Sequence, residues 1–176
     1  MSLVRSRFAR RAAVVVSAAL LLGTPLLATG CGGGDGPKRA KITPGEMPEG
    51  ETWRGVYFHP VYGHLHIEEE DNNIHGKWQR TDHSHWGELS GVANGNVLRY
   101  TWKEHKVGMV GASATTQGKG YFVYKMNSDG IGELHGEFGM GKSDNGSDWK
   151  CVKQVRVEPD LKSVGGEGEG VTPGQL

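Results

Sequence analysis

Eight short runs of alternating apolar and polar residues, separated by turn-forming residues, constrain this chain more than anything else in its sequence. They are Thr52 to Phe58, Gly63 to Glu68, Ile74 to Arg80, Trp86 to Val92, Val97 to Lys103, Tyr121 to Met126, Ile131 to Phe138 and Trp149 to Val157. Alternation with period two places successive side chains on opposite faces of a strand, and helical periodicity is almost absent. Asp71-Asn72-Asn73, Asn94-Gly95-Asn96 and Asn127-Ser128-Asp129-Gly130 supply residues that tolerate positive φ in tight hairpins. Consecutive hairpins make a meander, and a sheet of eight such strands tends to close because closure removes both exposed edges. The expected fold is all-β: a single small antiparallel meander barrel of about eight strands over residues 50–160. The interior of a barrel that size is either filled by side chains or holds one small ligand.

A recurring unit supports closure. Apolar-x-Gly-x-aromatic, or a shortened form, occurs at Trp53 to Tyr57, Ile74 to Trp78, Leu89 to Gly91 and Leu134 to Phe138, with Gly on the same face as the bulky residues. A glycine inside a strand marks a bend or the close approach of another backbone, as a tightly coiled small barrel requires.

The ends of the chain have a different composition. Arg5, Arg7, Arg10 and Arg11 precede an apolar run from Ala12 to Leu22, and Gly23 and Pro25 break it. This is the order of a secretory signal, and the run is shorter than the ~20 apolar residues of a spanning helix. With small Thr29 and Gly30 before it, Cys31 resembles the acceptor of bacterial lipoprotein processing, although Ala28 stands where Leu is more usual. The resemblance implies cleavage after residue 30, diacylglycerol on the Cys31 thiol and acylation of the new amine. Several acyl chains anchor far more firmly than one. Gly32, rather than Asp, follows the cysteine, and this points to the outer membrane. Residues 31–49, rich in Gly and Pro, read as a lipidated tether, and 161–176, with Gly165-Gly166-Glu167-Gly168-Glu169-Gly170, as a flexible tail. With Cys31 acylated, Cys151 has no intrachain partner and reads as a buried strand residue.

Removing the four signal arginines from twenty Lys and Arg leaves sixteen against twenty Asp and Glu, about four negative charges on the mature chain. That balance argues against nucleic acid, which demands a basic face, so the membrane contact is assigned to the acyl chains on Cys31.

At the level of pattern, the domain is similar to the avidin and streptavidin type of eight-stranded barrel. Thr52-Trp53 opens the first strand, Trp102-Lys103 closes the fifth, Ser113-Ala114-Thr115-Thr116 opens the sixth and Trp149-Lys150 starts the last. The resemblance implies a pocket walled by Trp102 and Trp149, with Ser113 and Thr115 hydrogen-bonding a ligand; Trp78 joins the candidate lining. The chain departs from the family at Gln117, where an aromatic wall residue is expected, at Trp78 and Arg80, which replace a smaller polar pair, and at Val157, where an Asp is expected.

Histidine offers a different chemistry. His64-Leu-His66 and His83-Ser-His85 each place two imidazoles on one face, and four converging imidazoles could ligate zinc or copper. Convergence is opposed by the run Ile74 to Arg80 between the pairs and by Leu65 and Ile67, which look inward, so a solvated histidine surface is expected. No nucleophile elbow or phosphate-cradling loop accompanies Ser84, and Glu68-Glu69-Glu70-Asp71 reads as a charged hairpin. No cofactor and no enzymatic activity are expected. Glu104 to Gly120, with Val107-Gly108-Met109-Val110, reads as one long irregular loop suited to docking or to closing the barrel mouth.

Two readings follow. The first is a non-enzymatic outer-membrane lipoprotein that docks to other cell-envelope proteins, as accessory subunits of surface-assembly, secretion or gliding-motility machines do. The second is a barrel that holds a small ligand, with a histidine metal site as a lesser variant.

Overall fold

A computed structural model of the chain describes residues 36–165. Residues 1–35, including Cys31, and the tail beyond Gly165 lie outside the described residues. Eight antiparallel strands, each hydrogen-bonded to the next, form a closed barrel: β1 (Gly55–His59), β2 (Gly63–Glu70), β3 (Asn73–Gln79), β4 (His85–Asn94), β5 (Val97–Lys106), β6 (Thr115–Met126), β7 (Gly132–Met140) and β8 (Ser147–Lys153). Closure rests on a short seam in which Tyr57 and Phe58 of β1 pair with Lys153 and Val152 of β8. The hairpins carry the expected turn chemistry, with Asp71, Gly95 and Gly130 all at positive φ.

The interior is built by pairing aromatic rings with glycines. Across the ladders, Trp78 lies opposite Gly87, Trp102 opposite Gly118, Tyr100 between Gly91 and Gly120, and Gly136 lies opposite both Phe122 and Trp149. The rings of Trp78, Trp102, Tyr100 and Phe122 lie over the space that a missing side chain leaves at Gly87, Gly118, Gly120 and Gly136. A Cβ on Gly87 would sit 2.1 Å from the Trp78 ring, and one on Gly118 would meet the Trp102 indole at 2.9 Å. The recurring Gly-x-aromatic unit is therefore a packing code between adjacent strands.

Trp149 is the hub. Its ring centroid lies 4.9 Å from that of Tyr62, 5.1 Å from Trp78, 5.3 Å from Phe122 and 5.8 Å from Phe138. Leu65, Ile67, Ile74, Leu98, Leu134 and Cys151 complete a core of fully buried side chains. The barrel is filled rather than hollow.

Three expectations about boundaries change. The irregular stretch read as Glu104 to Gly120 shrinks to residues 107–114, because the β5–β6 ladder continues to His105 opposite Thr115. Gly118 and Gly120 hide that strand from a pattern of apolar alternation, yet they are the positions that Trp102 and Tyr100 need to be empty. The last strand ends at Lys153, and Val155 and Val157 are exposed beyond it. The stretch from Lys38 toward Glu49, read as tether, is fastened to the barrel. Asp144 accepts from Ala40 N at 2.7 Å, Arg99 Nη2 donates to the Ala40 carbonyl at 3.1 Å, and Asn96 Oδ1 accepts from Gly45 N at 2.7 Å. At the other end, Leu161–Ser163 forms one turn of 3-10 helix, and Val164 behind it is buried.

Gly87→Ala places a methyl group inside the Trp78 indole. It is expected to lower stability by about 1–3 kcal/mol, read as a shifted urea midpoint with an unchanged slope.

Candidate functional site

Two places in the barrel carry chemistry: the end capped by the β1–β2 turn, and the outer wall of β3 to β6.

At the capped end, Tyr62 from the β1–β2 turn lies over Trp149 and edge-on to Phe138, with centroids 5.6 Å apart in the second pair. His59 holds the turn. Its Nδ1 accepts from Val61 N at 3.0 Å and from Tyr62 N at 3.1 Å, and its ring stacks on Tyr62 at 4.7 Å. Only the neutral imidazole has a lone pair for those two bonds, and burial also pushes the His59 pKa below its ordinary value. Beneath the cap, Arg80 makes a two-pronged ion pair with Glu104, Nε to Oε1 at 2.8 Å and Nη2 to Oε2 at 2.7 Å, and its guanidinium lies 5.6 Å from the Tyr62 ring centre. Glu104 is only 8 % exposed, and its hydrogen bonds raise the Arg80 pKa further. Deeper in, Trp78 Nε1, Trp149 Nε1 and the Tyr100 hydroxyl are buried without hydrogen-bond partners. Burial drives the Tyr100 phenol and the Cys151 thiol well above their ordinary pKa values, which leaves the thiol protonated and unreactive.

The candidate pocket residues do not assemble as the barrel resemblance implies. Trp78, Trp102 and Trp149 all point inward. Ser113 lies instead in an exposed turn of 3-10 helix, Ala112–Ala114. Thr115 is on the outer wall, where its hydroxyl is 3.2 Å from His105 Nδ1. The reason is register: Trp102 points in, so its neighbours His105 and Thr115, which pair across the ladder, point out.

The histidines also face outward. His64 is exposed and packs on Phe58, His66 Nδ1 accepts from Asp160 N at 3.0 Å, His83 sits at positive φ in the β3–β4 turn, and His85 Nδ1 is 2.8 Å from Ser84 Oγ. His64, His66 and His83 do line one recess, but no group of three potential metal ligands is placed to share an ion among the described residues.

The outer wall carries a groove of about 870 Å³, within the size range of ligand clefts. The register lays its floor in rows. Lys77, Glu88, Lys103 and Gln117 lie side by side across β3 to β6, and His75, Ser90, Thr101 and Lys119 form the next row. Lys142 of the β7–β8 turn closes one side and Leu161 another. A second concavity of about 590 Å³ shares Ser90, Thr101, Lys119 and Lys142 and continues toward Arg39 and Arg99. Sequence reasoning missed this groove, since its lysines are scattered over four segments and only strand register brings them onto one wall.

Loss of one partner of the Arg80–Glu104 pair strands a charge. Glu104→Gln is expected to destabilise by about 2–3 kcal/mol, while the double variant Arg80→Met/Glu104→Leu recovers most of that loss; thermal melts of the three proteins check it. His59 sets a pH dependence. Because its folded pKa is depressed, its contribution is complete above the unfolded imidazole value of about 6.5 and is lost as pH falls through that value. His66, also depressed by burial, acts in the same direction. The melting temperature is therefore expected to fall between pH 7.5 and pH 5.5, and His59→Asn, which still accepts but does not titrate there, should reduce the fall without abolishing it.

No protein-family model matches the sequence, and no curated protein or solved structure is found to be similar to it.

Proposed function

We propose that this chain is an outer-membrane lipoprotein, anchored through acyl chains on Cys31, whose barrel is a non-enzymatic recognition or assembly module of the cell envelope. The observation that carries the recognition part is where the free space lies: aromatic side chains take up the interior, and the wide groove opens on the outer wall. A wall that offers surface rather than a pocket suits contact with an extended partner. The exposed apolar turn adds a second contact point, with Val107 and Met109 partly exposed and Val110 95 % exposed beside the β5–β6 connection. Support for the anchor comes from the charged, apolar and small-residue order before Cys31. The partners in this reading are other envelope components, as in a surface, secretion or gliding-motility assembly.

One observation favours a second reading, a small ligand that displaces part of the packed interior. Trp78 Nε1, Trp149 Nε1 and the Tyr100 hydroxyl are buried donors without acceptors, and such groups in native proteins generally find a partner or a buried water.

Native mass spectrometry of the detergent-solubilised protein from its own membranes separates the readings. A mass of the acylated chain from Cys31 together with a further envelope component supports the first. A small adduct that survives desalting supports the second, and an unacylated chain overturns the anchor. Cys31→Ala is expected to move the protein from the membrane fraction to the soluble fraction without altering its circular dichroism.

A further inference from the structure

We infer that the groove on the outer wall of β3 to β6 is a binding site for an acidic polysaccharide; this rests on the outer-wall recognition reading above and names its ligand. The mature chain is net acidic, yet Lys77, Lys103, Lys119 and Lys142 converge on this groove against a single carboxylate, Glu88. None of the four has a carboxylate within 4.0 Å among the described residues, whereas Lys150 and Lys153, on β8, are paired at 3.0 and 2.8 Å. Charge is thus segregated: the Glu68-Glu69-Glu70-Asp71 hairpin and the β7–β8 side hold carboxylates, and the groove holds more ammonium groups than carboxylates. Four ammonium groups around one groove outnumber the single carboxylate, Glu88, that stands between Lys77 and Lys103, and an anion laid among them offsets that excess of positive charge.

The shape and the floor select among anions. The cleft is concave and continues into the neighbouring concavity through Ser90, Thr101, Lys119 and Lys142, so it takes an extended chain, and a flat lipid surface would touch only its rim. Besides Glu88 and His75, the floor carries Ser90, Thr101 and Gln117, hydroxyls and an amide that match the hydroxyl groups of a sugar. An extended peptide binds best by adding to a sheet edge or filling apolar pockets, and here the sheet is closed and Leu161 is the sole outward apolar side chain lining the 870 Å³ cleft. Trp102 points into the barrel and the Trp86 ring beside the groove is already stacked on His105, which leaves nucleic-acid bases little stacking surface. Lysines act as rotatable point charges rather than fixed forks, as suits carboxylates spaced along a flexible polymer.

The test uses the full acylated chain in neutral detergent at low salt and titrates it calorimetrically with polygalacturonate and alginate. Dextran, poly-L-glutamate and phosphatidylglycerol vesicles serve as comparators. The expected result is binding to at least one acidic polysaccharide, none to dextran, and at least tenfold weaker binding to poly-L-glutamate and to the vesicles. Each lysine replaced by glutamine should weaken binding about fivefold, as expected for a cation near an anionic array. The combined Lys77→Gln/Lys103→Gln/Lys119→Gln/Lys142→Gln variant should lose more than a hundredfold, and Lys106→Gln/Lys125→Gln/Lys162→Gln, outside the groove, should lose little. All these lysines are surface residues, and circular dichroism confirms that each variant folds. Failure of both acidic polysaccharides to bind, equal binding of poly-L-glutamate, binding to vesicles alone, or an unaffected quadruple variant each overturns the assignment. Cys31→Ala separates it from the anchor: glycan binding survives in that variant whether or not the protein leaves the membrane.

Discussion

The rest of the structure depends on Trp149 having room. The interior of an eight-stranded barrel is filled by side chains or by a ligand, and here four rings meet around one indole on the last strand. Several of these rings have a glycine as one cross-strand neighbour, Gly87 for Trp78, Gly118 for Trp102 and Gly136 for both Phe122 and Trp149, which leaves them room. Aromatic burial supplies a large apolar area for few residues, and this offsets the small core available to a domain of this length. The β1–β8 seam is short, so side chains meeting across the lumen do much of the work of holding the barrel shut.

Filling the lumen transfers recognition to other surfaces. The capped end is stiffened by a buried ion pair, an aromatic lid and a histidine that acts as a double acceptor. The opposite end is closed differently: Trp53 meets Tyr124 edge to face, the Tyr57 hydroxyl donates to the Trp53 carbonyl, and Glu51 bridges Tyr124 and Lys153. With both ends occupied, free space is left along the strands, where register alone decides which side chains become neighbours. The groove lysines lie far apart in sequence yet on one wall, with Glu88 between Lys77 and Lys103.

Much of the architecture was legible. Alternation marked eight strands, the Asn, Asp and Gly turns marked the hairpins, and Leu65 and Ile67 correctly turned His64 and His66 outward. The failures have one cause: features that act across the chain leave no local periodicity. Gly118 and Gly120 broke the apolar pattern of β6 because they serve Trp102 and Tyr100 on β5. Lys38 to Gly45 looked like linker because its anchors, Asp144, Arg99 and Asn96, lie 51 to 104 residues away in sequence. Ser113 and Thr115 were assigned to a pocket by resemblance, and the register of β5 with β6 put Thr115 outside. The net charge argued against a basic face, and the pairing of strands concentrated one locally.

By itself the sequence determined the strand count, the hairpin turns, the inward face of most strands and the need for close backbone approach, because these follow from period two and from which residues tolerate positive φ or lack a Cβ. Only the tertiary structure decided that the lumen is full, that Arg80 meets Glu104 under the Tyr62 cap, and that scattered lysines form a groove. Those outcomes depend on closure and register, which bring together residues from different strands and so cannot be read from any single stretch of chain.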